Sequence, residues 1–197
     1  MIPISTLLGG YRTGYFPMAV DGGVRWFSPG HRGVIPLKSF RAPRRLARVV
    51  RQGSMPCTVN RAFRDVITAC ASRTDTAGNW INDEILESYC ALHRGGYAHS
   101  LEVWNGSRLA GGLYGVSLGG AFFGESMFHV ARDASKVALC FLVGRLRVRG
   151  FHLLDVQWVT PHLRQFGAVE IPRSSYLAEL EESMRLDCAF AGPVPTR

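Results

Sequence analysis

The stretch AHSLEVWNGSRLAGGLYGVSLGGAFFGESM, residues 98–127, decides the fold class. Ala98 to Trp104 alternates in the period-two manner of a half-buried strand. Asn105-Gly106 is a strong signal for a two-residue type I′ hairpin turn, and Leu109 to Leu118 supplies the returning strand. Gly119-Gly120 permits another turn, and Ala121 to Met127 makes a third strand. The period then lengthens. Asp133 or Ser135 can cap a helix with Val137, Leu139, Cys140, Leu142, Val143 and Leu146 apolar, closed at Gly150. Phe151 to Trp158 reads as a strand, a short turn follows, and Ser174 to Leu186 is an acidic amphipathic helix. The order βββ–α–β–α describes an α+β domain with antiparallel strands and one α-linked strand in its C-terminal half. No 20–50 residue repeat appears.

Upstream the pattern is weaker. Residues 1–36 are rich in Gly, Pro and aromatics, without a clear period. Ala42 to Gln52 reads as a helix with Pro43 in its first turn and Gly53 past its end. Asn60 to Ala71 reads as a second, with Asn60 as N-cap and Phe63, Val66 and Ile67 apolar. A polar loop, Ser72 to Asn79, leads to Trp80-Ile81. A third helix follows, from about Asp83 to Arg94, with Ile85, Leu86, Tyr89 and Leu92 on one side and Gly95 as its stop. The expected division is a small basic region, residues 1–71, followed by a C-terminal domain, residues 72–197.

The chain has 197 residues, 47% of them hydrophobic, which is enough to bury a core. The longest apolar run, Val137 to Val143, is far too short for a membrane span. Met1-Ile2-Pro3-Ile4-Ser5-Thr6 lacks the basic flank and apolar segment of a secretion signal. Five cysteines without a CxxC pair argue against a disulfide framework or a zinc ribbon, and the six histidines have no ligand-like spacing. The expectation is a soluble, reduced, cytoplasmic protein, a monomer by default, with no metal.

Charge is unevenly placed. Residues 1–64 hold eleven Lys/Arg against Asp21 alone, whereas residues 65–197 hold twelve against fourteen acids. Within the acid-free stretch Gly22 to Arg64, Arg41, Arg44, Arg45, Arg48 and Arg51 recur three or four apart, so a helix sets them on overlapping faces. Leu46, Val49 and Val50 turn the other way. Arginines so close repel unless a polyanion relieves them, and guanidinium grips phosphate bidentately. These five are candidate phosphate contacts of a nucleic acid.

Several stretches are too particular to be fold alone. Gly14-Tyr15-Phe16-Pro17, Trp26-Phe27-Ser28-Pro29, AHS-x-E-x-W from Ala98 to Trp104, Gly111-Gly112-Leu113-Tyr114-Gly115-Val116, Gly124-Glu125-Ser126-Met127-Phe128, Ala134-Ser135-Lys136 and Gly167-Ala168 occur in this order. Together they resemble the leucyl/phenylalanyl-tRNA–protein transferases, from about Leu7 to Leu186. The βββ–α–β–α order likewise resembles the second half of a GNAT-like acyltransferase fold. The resemblance implies that the α-amino group of an acceptor attacks the ester joining Leu, Phe or Met to the 3′-terminal adenosine of tRNA. The acceptor it implies is a protein beginning with Arg or Lys, thereby marked for degradation. No small cofactor is implied. An aminoacyl ester is already activated, so alignment and one proton transfer remain to be managed.

Asp155 and Gln157 lie two apart on the expected strand Phe151 to Trp158, so both face one side. The resemblance places them at the reaction centre, with the Asp orienting the Gln, and the Gln orienting the amine. Glu125 sits among Phe122, Phe123, Met127 and Phe128, where an isolated carboxylate is costly and requires a partner. The resemblance puts it on the acceptor side. By the same resemblance Leu113, Met127, Leu139, Leu142 and Leu146 line the donor side-chain pocket. Trp80, Tyr11 and Met18 stand near the terminal adenosine.

Some positions depart from the family. A segment ahead of Leu7-Leu8 is missing, Met18 replaces the Trp of Phe-Pro-Trp, and Leu142 replaces a pocket Phe. Gly30-His31-Arg32 stands for Asp-Pro-Arg. These departures open a second reading, the same chemistry onto a small amine or amino acid. An acyl-CoA transferase would need a glycine-rich loop where Phe128 to Asp133 has none. A binding module without activity would have lost Asp155, Gln157 or Glu125.

Overall fold

The computed structural model describes residues 1–73 and 80–192. Its elements in chain order are α1 (Ile4–Arg12), β1 (Phe16–Val20), β2 (Gly23–Phe27), β3 (His31–Val34), α2 (Arg44–Gln52), β4 (Cys57–Val59), α3 (Phe63–Ala71), α4 (Asp83–Arg94), β5 (Ala98–Asn105), β6 (Arg108–Leu118), β7 (Ala121–His129), α5 (Ala134–Val148), β8 (Leu153–Gln157), α6 (Pro161–Arg164), β9 (Val169–Pro172) and α7 (Arg173–Met184). β1 and β2 form a hairpin, and the other seven strands form one sheet in the order β4-β5-β6-β7-β8-β3-β9. All neighbours are antiparallel except β7 and β8, which run parallel and are linked through α5.

Period two explains how the sheet carries cores on both faces. Tyr114, Phe123 and Leu153 enter a cluster with α1, α3, α4 and α7, whereas their neighbours Leu113, Phe122 and Leu154 enter a second cluster with α2 and α5. The central strands are therefore apolar on both sides, as strands covered by two helical layers must be.

The hairpin reading of 98–127 holds, with one correction at the turn. Asn105 pairs with Arg108, so the turn residues are Gly106 and Ser107. Only Gly106 of the two has positive φ, at 59°, the type II′ pattern rather than type I′. α4 begins as expected, with the Asn82 side chain accepting from the Ile85 N–H at 2.9 Å.

Other expectations are corrected. Asn60 is not a helix cap: it follows β4 with φ of 60°, and its amide bridges the Ser100 N–H at 3.1 Å and His99 Nδ1 at 3.0 Å. The helix starts at Phe63 instead. Asp133 takes φ of 66° and makes no side-chain cap to α5, its carboxylate being turned toward cations. On α2, Leu46 is buried and Val49 packs inward, but Val50 is 39% exposed. α6, capped by Thr160, and β9 occupy what reads as a turn. Of the loop Ser72 to Asn79, residues 74–79 lie outside the described residues. β3 and β4, both before residue 72, hydrogen-bond into the same sheet as β5 to β9.

β3 matters most for function because it flanks the C-terminal end of β8. Gly33 pairs with Gln157, and a Cβ there would lie 2.7 Å from the Trp158 carbonyl carbon and 2.9 Å from the Val159 nitrogen. Neither backbone atom can step aside cheaply. Gly33→Ala should destabilise the protein by about 1–3 kcal/mol and lower transfer through displacement of Gln157. Denaturant titration beside a transfer assay measures both.

Candidate active site

Asp155, fully buried on β8, anchors the site. Arg32 Nε donates to Asp155 Oδ1 at 2.9 Å and its Nη2 to Oδ2 at 2.7 Å, while Tyr176 Oη donates to Oδ2 at 2.8 Å. The Arg32 side chain is 1% exposed. Its guanidinium lies 4.5 Å from the Phe16 ring centroid and 4.6 Å from that of Tyr176, and Nη1 donates to the Gly14 carbonyl at 3.1 Å. Burial opposes the Arg32 charge, but Asp155 more than restores it, raising its pKa. A charge pair removed from water persists only with such full hydrogen bonding.

Asp155 orients Gln157 through the backbone. Its Oδ1 accepts the Gln157 N–H at 2.8 Å, and Gln157 adopts φ of 58°, a left-handed conformation that non-glycine residues rarely hold unaided. The alternation of β8 ends there. The turned side chain places Nε2 3.3 Å from Glu125 Oε1 on the neighbouring β7. The two residues therefore meet by a strand-end reversal rather than by sharing a strand face.

Glu125 is half-buried with partners on three sides. Tyr11 Oη donates to Oε1 at 2.8 Å, and Tyr89 Oη, 3.2 Å from Oε2, has its one proton to share between that oxygen and the Tyr11 hydroxyl beside it. Burial, helped by the Asp155 charge, pushes the Glu125 carboxyl up to about 8, against the pull of Tyr11, Tyr89 and Arg32. Burial likewise drives both tyrosines well above their ordinary value. Sequence reasoning missed Arg32, Tyr89 and Tyr176.

The remaining candidates divide. Tyr11 is fully buried with its ring 4.8 Å from that of Phe123, so it holds Glu125 and offers no face to an adenine. Trp80 and Met18 are half-buried against the same core, and the Trp80 carbonyl accepts from the N–H of Ala19, next to Met18, at 3.0 Å. Leu113, Leu139, Leu142 and Leu146 are buried in the α5-side core, and half-buried Met127 packs against it, opposite Leu113 across β6 and β7. Arg41, Arg44, Arg45, Arg48 and Arg51 are all exposed, but Arg45 is bound to Asp133.

The family model described as leucyl/phenylalanyl-tRNA protein transferase matches residues 34–181, and that of its N-terminal domain matches residues 1–30. The chain belongs to this family. A transferase of that name from Nitrobacter winogradskyi is 57% identical over 198 residues, spanning 96% of this chain and 88% of that one. One from Rhodopseudomonas palustris is 54% identical, spanning 94% and 84%. One from Chlorobaculum tepidum is 46% identical and is spanned over its full length by 96% of this chain. The leucyl/phenylalanyl-tRNA protein transferase name therefore extends to a relative with no more N-terminal sequence than is matched here. Among solved structures, a conserved protein of unknown function from Staphylococcus epidermidis superposes with a TM-score of 0.45 at 11% identity, over 87% of this chain and 65% of that one. That likeness is too distant to bear on the site.

Proposed function

We propose that this aminoacyltransferase moves Leu, Phe or Met from the 3′-terminal adenosine of charged tRNA to the α-amino group of proteins beginning with Arg or Lys, at a centre formed by Glu125, Gln157 and Asp155. The amine nitrogen attacks the ester carbonyl carbon. The new C–N bond forms as the bond to the ribose 3′ oxygen breaks, and the amine proton leaves for that oxygen. The observation that carries the reading is the Gln157 amide held against Glu125 by a backbone that Asp155 and Arg32 fix in place.

An acceptor ammonium must lose a proton before attack, and a free α-amino group titrates at about 7.7–8.0. A carboxyl near 8 in the same site is matched to receive that proton. Gln157, a feeble base, orients the nitrogen. Apolar walls around Met127 and the α5 leucines favour Leu, Met or Phe by excluding polar side chains. The β7–α5–β8 crossover with its parallel pair supports a GNAT-like acyltransferase architecture, and charged tRNA as donor supports action in the cytoplasm. A monomer suffices, since the centre draws on one chain.

The test uses tRNA charged with labelled Leu, Phe or Met, offered to a protein beginning with Arg and to a pool of free amino acids and small amines. Label on the protein is the expected result. Label only on a small amine would overturn the acceptor and keep the chemistry.

The exposed arginines of α2 supply phosphate contacts. Replacing Arg44, Arg48 and Arg51 together by Gln should weaken tRNA binding and make its log–log salt dependence shallower by up to about 3. Affinity measured across a salt series with an unchanged slope would refute the footprint.

A further inference from the structure

A cavity of about 520 Å³ opens at the C-terminal end of β7 and the start of α5, lined by Arg45, His129, Arg132, Asp133, Lys136 and His162 among others. Asp133 is the only acid among the described residues that line it. That carboxylate is bonded by Arg45 and lies 3.5 Å from Lys136 Nζ and 4.0 Å from Arg132 Nε, so three cations share one counter-charge. Arg45 and Arg132 remain largely exposed, with capacity to hold a second anion.

Two further features mark the cavity. α5, fifteen residues long, begins at this space with Asp133 as its N-cap residue, whose carboxylate makes no side-chain cap to the helix and is turned to the cations instead. His162 Nε2 is shielded from solvent and has no hydrogen-bond partner among the described residues. Burial, then the charges of Lys136 and His129, lowers the His162 pKa, and a neutral imidazole carries one N–H to donate.

β7 links this cavity to the reaction centre. Glu125 and His129 are four residues apart on the strand, about 13 Å in extended chain. Resting on the aminoacyl-tRNA reading above, we infer that the cavity binds a backbone phosphate of the donor's acceptor end, through Lys136, Arg132, Arg45 and His162, and so sets the distance from the strand to Glu125. Arg44, Arg48 and Arg51 of α2 would hold more distant phosphates, whereas this cavity, with Arg45, fixes the register of the reacting end.

Two donors test it: a labelled leucyl ester of adenosine without a 5′ phosphate, and the same ester on a short oligonucleotide ending in that adenosine. The wild-type protein should prefer the oligonucleotide, and Lys136→Gln should reduce that preference about tenfold. Arg132→Gln, at a largely exposed position where folding is not at risk, should reduce it by a smaller factor. An unchanged preference in both variants would overturn the assignment. If the wild-type protein used neither donor, the reading of the reaction would fail. The cavity would still be judged by binding of the uncharged oligonucleotide. There Lys136→Gln should make the salt dependence shallower by about 0.7, and an unaltered slope would overturn it. Inorganic phosphate that competes with adenosine alone as well as with the oligonucleotide would also count against it.

Discussion

Replacing Arg32 by Met should abolish transfer and destabilise the protein by about 3–5 kcal/mol, because it leaves Asp155 charged, buried and without its counter-ion. The guanidinium makes one bond to Asp155 Oδ1 and two to Oδ2, besides bonding the Gly14 carbonyl, all within a slot between Phe16 and Tyr176. Arg32→Lys keeps the charge but supplies a point donor where a planar fork is needed. It should recover part of the stability while turnover stays low, since Asp155 then drifts and Gln157 loses its anchor. Tyr176→Phe removes only the 2.8 Å bond to Oδ2 and should cost about 1–2 kcal/mol. Denaturant titration of the three variants gives the ranking. Full stability in Arg32→Met would contradict it.

Glu125→Gln should change how stability depends on pH, with a loss of transfer. The folded carboxyl titrates near 8 and the unfolded one near 4.5. Below the lower value both states hold the proton, and burial of the neutral acid carries no penalty. As pH rises between the two values the unfolded chain gives up a proton that the folded chain keeps, so stability falls with pH until about 8. The drop is about 3 kcal/mol, at 1.36 kcal/mol per pKa unit and discounted for partial exposure. Glutamine keeps acceptor and donor atoms for Tyr11, Tyr89 and Gln157 without titrating. The variant should therefore lack this decline and be the more stable protein at pH 8.5. Parallel stability curves for the two proteins from pH 5 to 8.5 would rule it out.

The part of the fold that was legible in the sequence is the part written locally. β5, β6 and β7 carry alternation and glycine turns within one continuous stretch, Ala98 to His129, and α4 carries its own cap and stop. β3, β4 and β9 are only three or four residues long and show no period, so pairing partners far along the chain define them. The site follows the same division. Glu125, Asp155 and Gln157 were legible, the first as a carboxylate among aromatics and the others as a polar pair ending an apolar strand. Arg32 was not: it meets Asp155 across 123 residues. Counted with an acid-free basic segment, it resembles one more surface cation, and only tertiary structure shows it 1% exposed. The reversed backbone of Gln157 has no sequence signal either, since glutamine is not a residue that favours positive φ. The reach of the Tyr11 hydroxyl to Glu125, 114 residues along the chain, has no local signal either.

In this site the Gln157 amide, held at Glu125, aligns the attacking amine. Gln157→Asn tests it most directly, because asparagine tolerates the left-handed backbone and shortens the side chain by one methylene. With saturating charged tRNA and an acceptor protein beginning with Arg, single-turnover transfer should fall about 100-fold, the scale of a misplacement near 1 Å. The affinity for tRNA should stay within about twofold, since uncharged Gln157 neutralises no phosphate. Transfer at the wild-type rate would contradict the account, and so would a loss explained wholly by weaker tRNA binding.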